Sequence, residues 1–170
     1  VKKNYKCTAG DTVLLSVPEM QDVELVPQDI PLDIVYEDDS LLVVNKPAGM
    51  VVHPGHGNFE GTLLNALAWH FGEREAFDAG DDRLGLVHRI DKDTTGIVIA
   101  CKNDKAHLCL SEQLSRHTIT RRYRTIVHGI IKDDERTIEG AIARHPVDRK
   151  KMTVDNIRGR EAVTHYRVLD

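Results

Sequence analysis

The sequence predicts an α+β fold, a mainly antiparallel mixed sheet flanked by helices and loops. Three observations predict it. Short apolar runs of alternating polarity recur from residue 32 onward, the pattern of strands with one face buried. Only two stretches carry helical spacing, residues 62–71 and a stretch opening at Asn103 or Asp104. Neighbouring strand runs are joined by short turns, which favours antiparallel pairing over βαβ repeats.

Taken in order, residues 1–20 read as a short stub. Ala-Gly-Asp at 9–11 turns the chain into one strand, T-V-L-L-S-V-P, which Pro18 closes. Residues 21–31 are acidic, contain Pro27 and Pro31, and read as a linker. L-D-I-V-Y is the next strand, residues 37–40 an acidic turn, and L-L-V-V-N-K a second strand. Pro47 and Gly49 break that strand before a short β segment at 50–53. Residues 62–71 give a helix capped by Thr62, with Leu63, Ala66, Leu67 and His70 on one stripe. Residues 72–83 are polar and form a loop. L-G-L-V and G-I-V-I-A-C are strands on either side of a polar loop, residues 88–96. The second helix sets Ala106, Cys109, Leu110, Gln113 and Leu114 on one face. Three further strands are expected in Y-R-T-I-V-H-G-I-I, R-T-I-E-G-A-I and A-V-T-H-Y-R-V-L.

A length of 170 residues, 41% hydrophobic and 29% charged, fits one domain, or one domain plus a fragment of another. No run approaches the roughly 18 apolar residues that span a membrane, and the first residues lack the apolar stretch of a signal peptide. Cys7, Cys101 and Cys109 sit at no metal-type spacing and read as reduced thiols of a cytoplasmic protein. The net charge of −4 is unevenly spread. Residues 1–85 hold 6 Lys/Arg against 15 Asp/Glu, and residues 86–170 hold 17 against 12. The second half is the basic one and carries 6 of the 9 histidines, the polarity expected of a protein with one basic working face.

Residues 88–96, H-R-I-D-K-D-T-T-G, concentrate the chemistry. Polar loops held on a rigid sheet are where functional groups gather. Asp91 stands within two residues of candidate cations, Arg89 and Lys92. A nearby positive charge favours an ionised carboxylate, and an oriented carboxylate can act as a nucleophile. The same residues also suit a plain polar turn, with Asp91 and Asp93 capping backbone N–H groups.

H-R-I-D-K-D-T-T-G resembles the central motif of the RluA-type pseudouridine synthases, usually H-R-L-D-x-x-T-S-G. Three other segments resemble that family in the same order. They are Y-E-D-D-S-L-L-V-V-N-K-P-A-G-M-V-V-H-P (36–54), R-R-Y-R-T-I-V-H-G (121–129) and G-R-E-A-V-T-H-Y-R-V-L (159–169). The resemblance covers residues 32–170 and implies the catalytic-domain fold of these enzymes. The stub resembles the last strands of an S4-like RNA-binding domain. Members that combine the two act on ribosomal RNA, and the likeness runs to the synthase D type, whose target is the 23S-type large-subunit RNA.

The resemblance implies isomerisation of uridine to pseudouridine in RNA, with no cofactor and no metal. Asp91 matches the essential aspartate. It implies one of three roles: attack at the ribose C1′, attack at the uracil C6, or removal of the 2′ proton. Tyr123 matches the active-site tyrosine, which stacks on the uracil or serves in proton transfer. Arg89 matches the arginine that fills the gap left by the flipped base. Arg121 and Thr125 replace the family's more usual Lys and Ala. Lys46, with His53 and Pro54, belongs to the first motif, read as architectural with Lys46 a candidate phosphate contact. His88, Arg116, Arg121, Arg122, Arg124, Lys150 and Lys151 are further candidate RNA contacts, joined by His117, Arg144, Arg149, Arg158 and Arg160. A-R-H-P-V-D-R-K-K-M resembles an RNA-contacting loop. The expected partner is RNA, the expected state a monomer.

The family normally continues past the Y-R-V-L strand with a segment of the type G-R-T-H-Q-I-R-x-H, which supplies a basic partner for the aspartate. The chain is therefore expected to be a piece of a longer enzyme, weakly active or inactive alone. The competing readings are an RNA-binding module without catalysis and a metal hydrolase using His53, His56 and His88. The second is disfavoured because H-P-G-H is a Pro-Gly turn rather than the helix of an H-E-x-x-H site.

Overall fold

In a computed structural model the described residues are 5–6, 8–12, 14, 25–55, 57–72, 85–148 and 151–169. The stub strand, most of the 72–83 loop, His56, Arg149 and Lys150 lie outside them. The chain forms two compact units, Val1–Thr120 and Arg121–Asp170.

In the first unit, β1 (Ile34–Glu37), β2 (Leu41–Lys46) and β3 (Gly96–Cys101) form an antiparallel sheet in that order. β2 is central and strictly alternating. Leu42, Val44 and Lys46 point inward and are buried. Side chains two apart share a face, so the parity that buries the two apolar residues also buries the lysine. Helix α1 (Leu63–Phe71) covers this face with Leu63, Leu64, Leu67 and Phe71, completing a core with Val52, Leu86, Ile90, Val98 and Ala100.

The caps follow the sequence. The Thr62 Oγ1 accepts the Asn65 N–H, and Asn65 Oδ1 accepts the Thr62 N–H at 3.0 Å. Asn103 caps α2 (Asp104–Ser115) by accepting the Ala106 N–H at 2.9 Å. No α2 residue is fully buried. His70 is not part of the buried stripe either. Its Nε2 lies 3.1 Å from Glu37 Oε2, and Lys102 Nζ lies 2.8 Å from Glu37 Oε1.

The expected strand at 50–53 is absent. Its carbonyls serve the helix instead: Val51 O accepts from Leu63 N at 2.8 Å and Val52 O from Leu64 N at 3.1 Å. The first N–H groups of a helix need such acceptors. The expected strand before the 88–96 loop shrinks to one bridge, Leu86 with Ala100.

The second unit is another antiparallel sheet, in the order β5 (Met152–Val154), β4 (Glu135–Arg144), β6 (Arg160–Arg167). β5 lies at the end of what the sequence reads as a basic loop. It pairs with Ile142, Ala143 and Arg144. Gly159 closes the β5–β6 turn, its N–H on Asp155 O at 2.8 Å. The strand expected in residues 123–131 does not form. That segment has no ladder partner among the described residues, and Ile126 and Ile130 stand almost fully exposed. Alternation marks a chain that could pair, but a strand needs a neighbour.

Candidate active site

The Asp91 loop is the tip of a wide hairpin on the free edge of β3. In the β2–β3 ladder, hydrogen-bonded pairs alternate with non-bonded ones, which leaves the Ile99 and Cys101 N–H groups pointing away from β2. Cys101 N donates to Gly85 O at 2.9 Å. Ile99 N donates to Nε2 of His88 at 3.1 Å. Two residues on, Ile90 is buried in the core, while Arg89 and Asp91 are exposed. Residues 88 and 90 therefore anchor the strand and residues 89 and 91 project outward.

The far side of the loop is held by Lys46. Its ammonium donates to Pro47 O at 2.8 Å, Met50 O at 2.8 Å and Lys92 O at 2.9 Å. These use all three of its donors. Lys92 O accepts a second bond from Gly49 N at 2.9 Å, and Gly49 takes the positive φ of 82° that this approach requires. The K-P-A-G loop and the Asp91 loop are thus fastened to one buried cation. Thr94 N closes the turn on Asp91 O at 3.1 Å.

Burial lowers the Lys46 pKa from its usual value, opposed by the negative charges of Asp93 and Asp91. The expectation that Lys46 meets phosphate or solvent does not stand. Its side chain is 0% exposed and its donors are spent. The reason is the β2 parity described above.

The adjacent cation expected for Asp91 is also missing. Neither Arg89 nor Lys92 forms an ion pair with Asp91, whose carboxylate bonds to no described residue. The loop turns the side chains outward at its tip. The two aspartates act through space on the buried Lys46 ammonium, favouring its charged form.

The structure gathers Lys46, His88, Arg89 and Asp91 in the first unit. Arg116 lies there too, at the end of α2, paired with Glu112 Oε1 at 2.8 Å. Tyr123, Arg121, Arg122, Arg124 and Lys151 belong to the second unit. Tyr123 is 64% exposed, and the arginines around it are exposed. Lys151 lies 3.6 Å from Asp148 Oδ2. The role that sequence reading missed is the clamp of Lys46. Its signal was the alternation Leu42, Val44, Lys46 itself.

Residues 40–170 match the RNA pseudouridylate synthase family. Over 170 residues the chain is 48% identical to an uncharacterized RNA pseudouridine synthase, YlyB, of Bacillus subtilis (strain 168), covering 100% of this chain and 55% of that protein. It is 46% identical over 166 residues to ribosomal large subunit pseudouridine synthase D of Zymomonas mobilis, covering 97% and 52% respectively. The chain spans about half the length of the curated relatives it matches. In fold it is similar to human RNA Pseudouridylate Synthase Domain Containing 4, with a TM-score of 0.59 at 24% identity over 80% of this chain and 53% of that one. The matched stretch contains both the Lys46 clamp and the Asp91 loop: this chain belongs to the RNA pseudouridylate synthase family.

Proposed function

We propose that the protein converts uridine to pseudouridine in large-subunit ribosomal RNA, using the Asp91 carboxylate and no cofactor. The carrying observation is Asp91 exposed at the tip of a loop whose backbone is fixed on both sides. A backbone so held fixes where the carboxylate starts from, and positioning is a large part of catalysis. The ribosomal target is supported by relatives named ribosomal large subunit pseudouridine synthase D.

In the reaction the N1–C1′ bond breaks and a C5–C1′ bond forms. C5 loses its hydrogen to solvent and N1 gains a proton. The carboxylate assists by attack at C1′ or C6, or by taking the 2′ proton. The uridine must first leave its stack, at a cost of about a few kcal/mol. Arg89, two residues before Asp91 and exposed like it, occupies the space the base vacates. Tyr123 stacks on the uracil or serves in proton transfer. Arg116, Arg121, Arg122, Arg124, Lys150 and Lys151 bind phosphates and supply salt-dependent affinity. Residues 1–20 belong to an S4-like RNA-binding domain, residues 21–31 to a linker, and the protein works as a cytoplasmic monomer.

Tritium release from RNA labelled at uridine C5, measured on the full-length protein, tests this reading. Release by the wild-type protein, lost in Asp91→Asn, supports it. RNA binding without release would favour a binding module.

A further inference from the structure

The H-R-I-D motif opens with a histidine that the sequence reading offers to RNA. Its ring does something else. At 3.1 Å the Ile99 N–H donates to His88 Nε2. In a regular ladder a backbone carbonyl would take that N–H, as Gly85 O takes the Cys101 N–H at 2.9 Å. After the Leu86–Ala100 bridge the chain leaves the ladder to form the loop. The half-buried Ile99 would then keep a backbone donor without a protein acceptor. The imidazole supplies the acceptor at the point of departure.

We propose that His88 is a positioning residue for Asp91, acting as a neutral imidazole whose Nε2 pins the loop's entry to β3. An Nε2 that accepts carries no proton, so the ring proton sits on Nδ1. The aromatic ring has only two side-chain torsions, so the bond fixes the backbone direction three residues before Asp91. Ile90 in the core and Lys92 O on Lys46 complete three successive holds around the aspartate. His88 touches no reacting atom in this role. The link to Asp91 chemistry rests on the proposed function. The link to the loop does not.

Two measurements test it. In the 15N-labelled protein, a coupling across the hydrogen bond should join Ile99 N to His88 Nε2, with no proton bonded to Nε2. A protonated Nε2 overturns the proposal. In single-turnover assays at saturating RNA, His88→Phe should slow tritium release by up to about 100-fold, the scale of a misplaced reacting group, and leave RNA affinity unchanged. His88→Gln, which can still offer an acceptor, should recover part of the rate. Weakened RNA binding with an unchanged rate would make the ring an RNA contact and overturn the proposal, as would an unaffected rate. An inactive full-length wild-type protein would count against the functional reading alone. The nitrogen coupling, with backbone shifts at residues 90–94 in His88→Gln, would still decide whether His88 holds the loop.

Discussion

The ammonium of Lys46 sits 2.9 Å from the carbonyl oxygen of Lys92, the residue that follows Asp91. One buried side chain on β2 thereby fixes the far flank of the Asp91 loop. Lys46→Met keeps the volume but removes three charge-assisted bonds and leaves main-chain carbonyls short of donors. Each buried polar group left unmet costs about 1–3 kcal/mol. The variant should unfold at clearly lower denaturant concentration. A phosphate-binding lysine would instead leave stability unchanged and reduce the salt dependence of RNA binding by about one unit of slope.

A pH-dependent contribution is built into the first unit at Glu37. Its carboxyl is held below its ordinary value of 4.5 chiefly by the hydrogen bond from Lys102, which outweighs the opposing effect of burial, with His70 adding to the lowering. A lowered folded value means that the ionised form favours folding. That stability is present above the unfolded value and is lost as pH falls through the folded one. Glu37→Gln should therefore cost about 0.2–1 kcal/mol near neutrality, the range of partly exposed pairs. The difference from wild type should shrink as pH falls below 4.5 and vanish only below the lower, folded value. Urea titrations at several pH values give both numbers.

Gly159 has no room for a side chain. An added Cβ would lie 2.5 Å from Asp155 O, 2.6 Å from Ala141 C and 2.8 Å from Ala141 O, all backbone. Backbone cannot swing aside as a side-chain tip can, so Gly159→Ala should cost about 1–3 kcal/mol. Gly140→Ala, where the nearest atom is Val154 Cγ1 at 3.6 Å, should cost far less. Thermal unfolding of the pair separates crowding from a general intolerance of the sheet.

Arg121, Arg122 and Arg124 are exposed, and none makes an ion pair among the described residues. If they neutralise phosphates, the triple Ala variant should weaken binding to all RNA sequences alike. The slope of log affinity against log salt should fall by about two to three units. An unchanged slope would make them solvated surface charge.

Much of this was legible in the sequence for local physical reasons. Thr62 and Asn103 announced two helix starts because caps are chemically specific. L-L-V-V-N-K announced a strand. What was misread depended on partners. Residues 123–131 alternate like a strand but have no described neighbour to pair with. β5 was hidden because M-T-V follows a run of charges, and only its pairing with Ile142–Arg144 residues of β4 makes it a strand. Lys46 was misread by residue type, since a lysine is rarely buried although its parity required it. The cation beside Asp91 was inferred from sequence adjacency, which a loop tip does not convert into contact.

The proposed chemistry stands most directly on Asp91. RNA labelled at uridine C5 should release tritium with the full-length wild-type protein, and Asp91→Asn should abolish release while folding and RNA affinity stay as they were. Release that continues in Asp91→Asn at a comparable rate would contradict it.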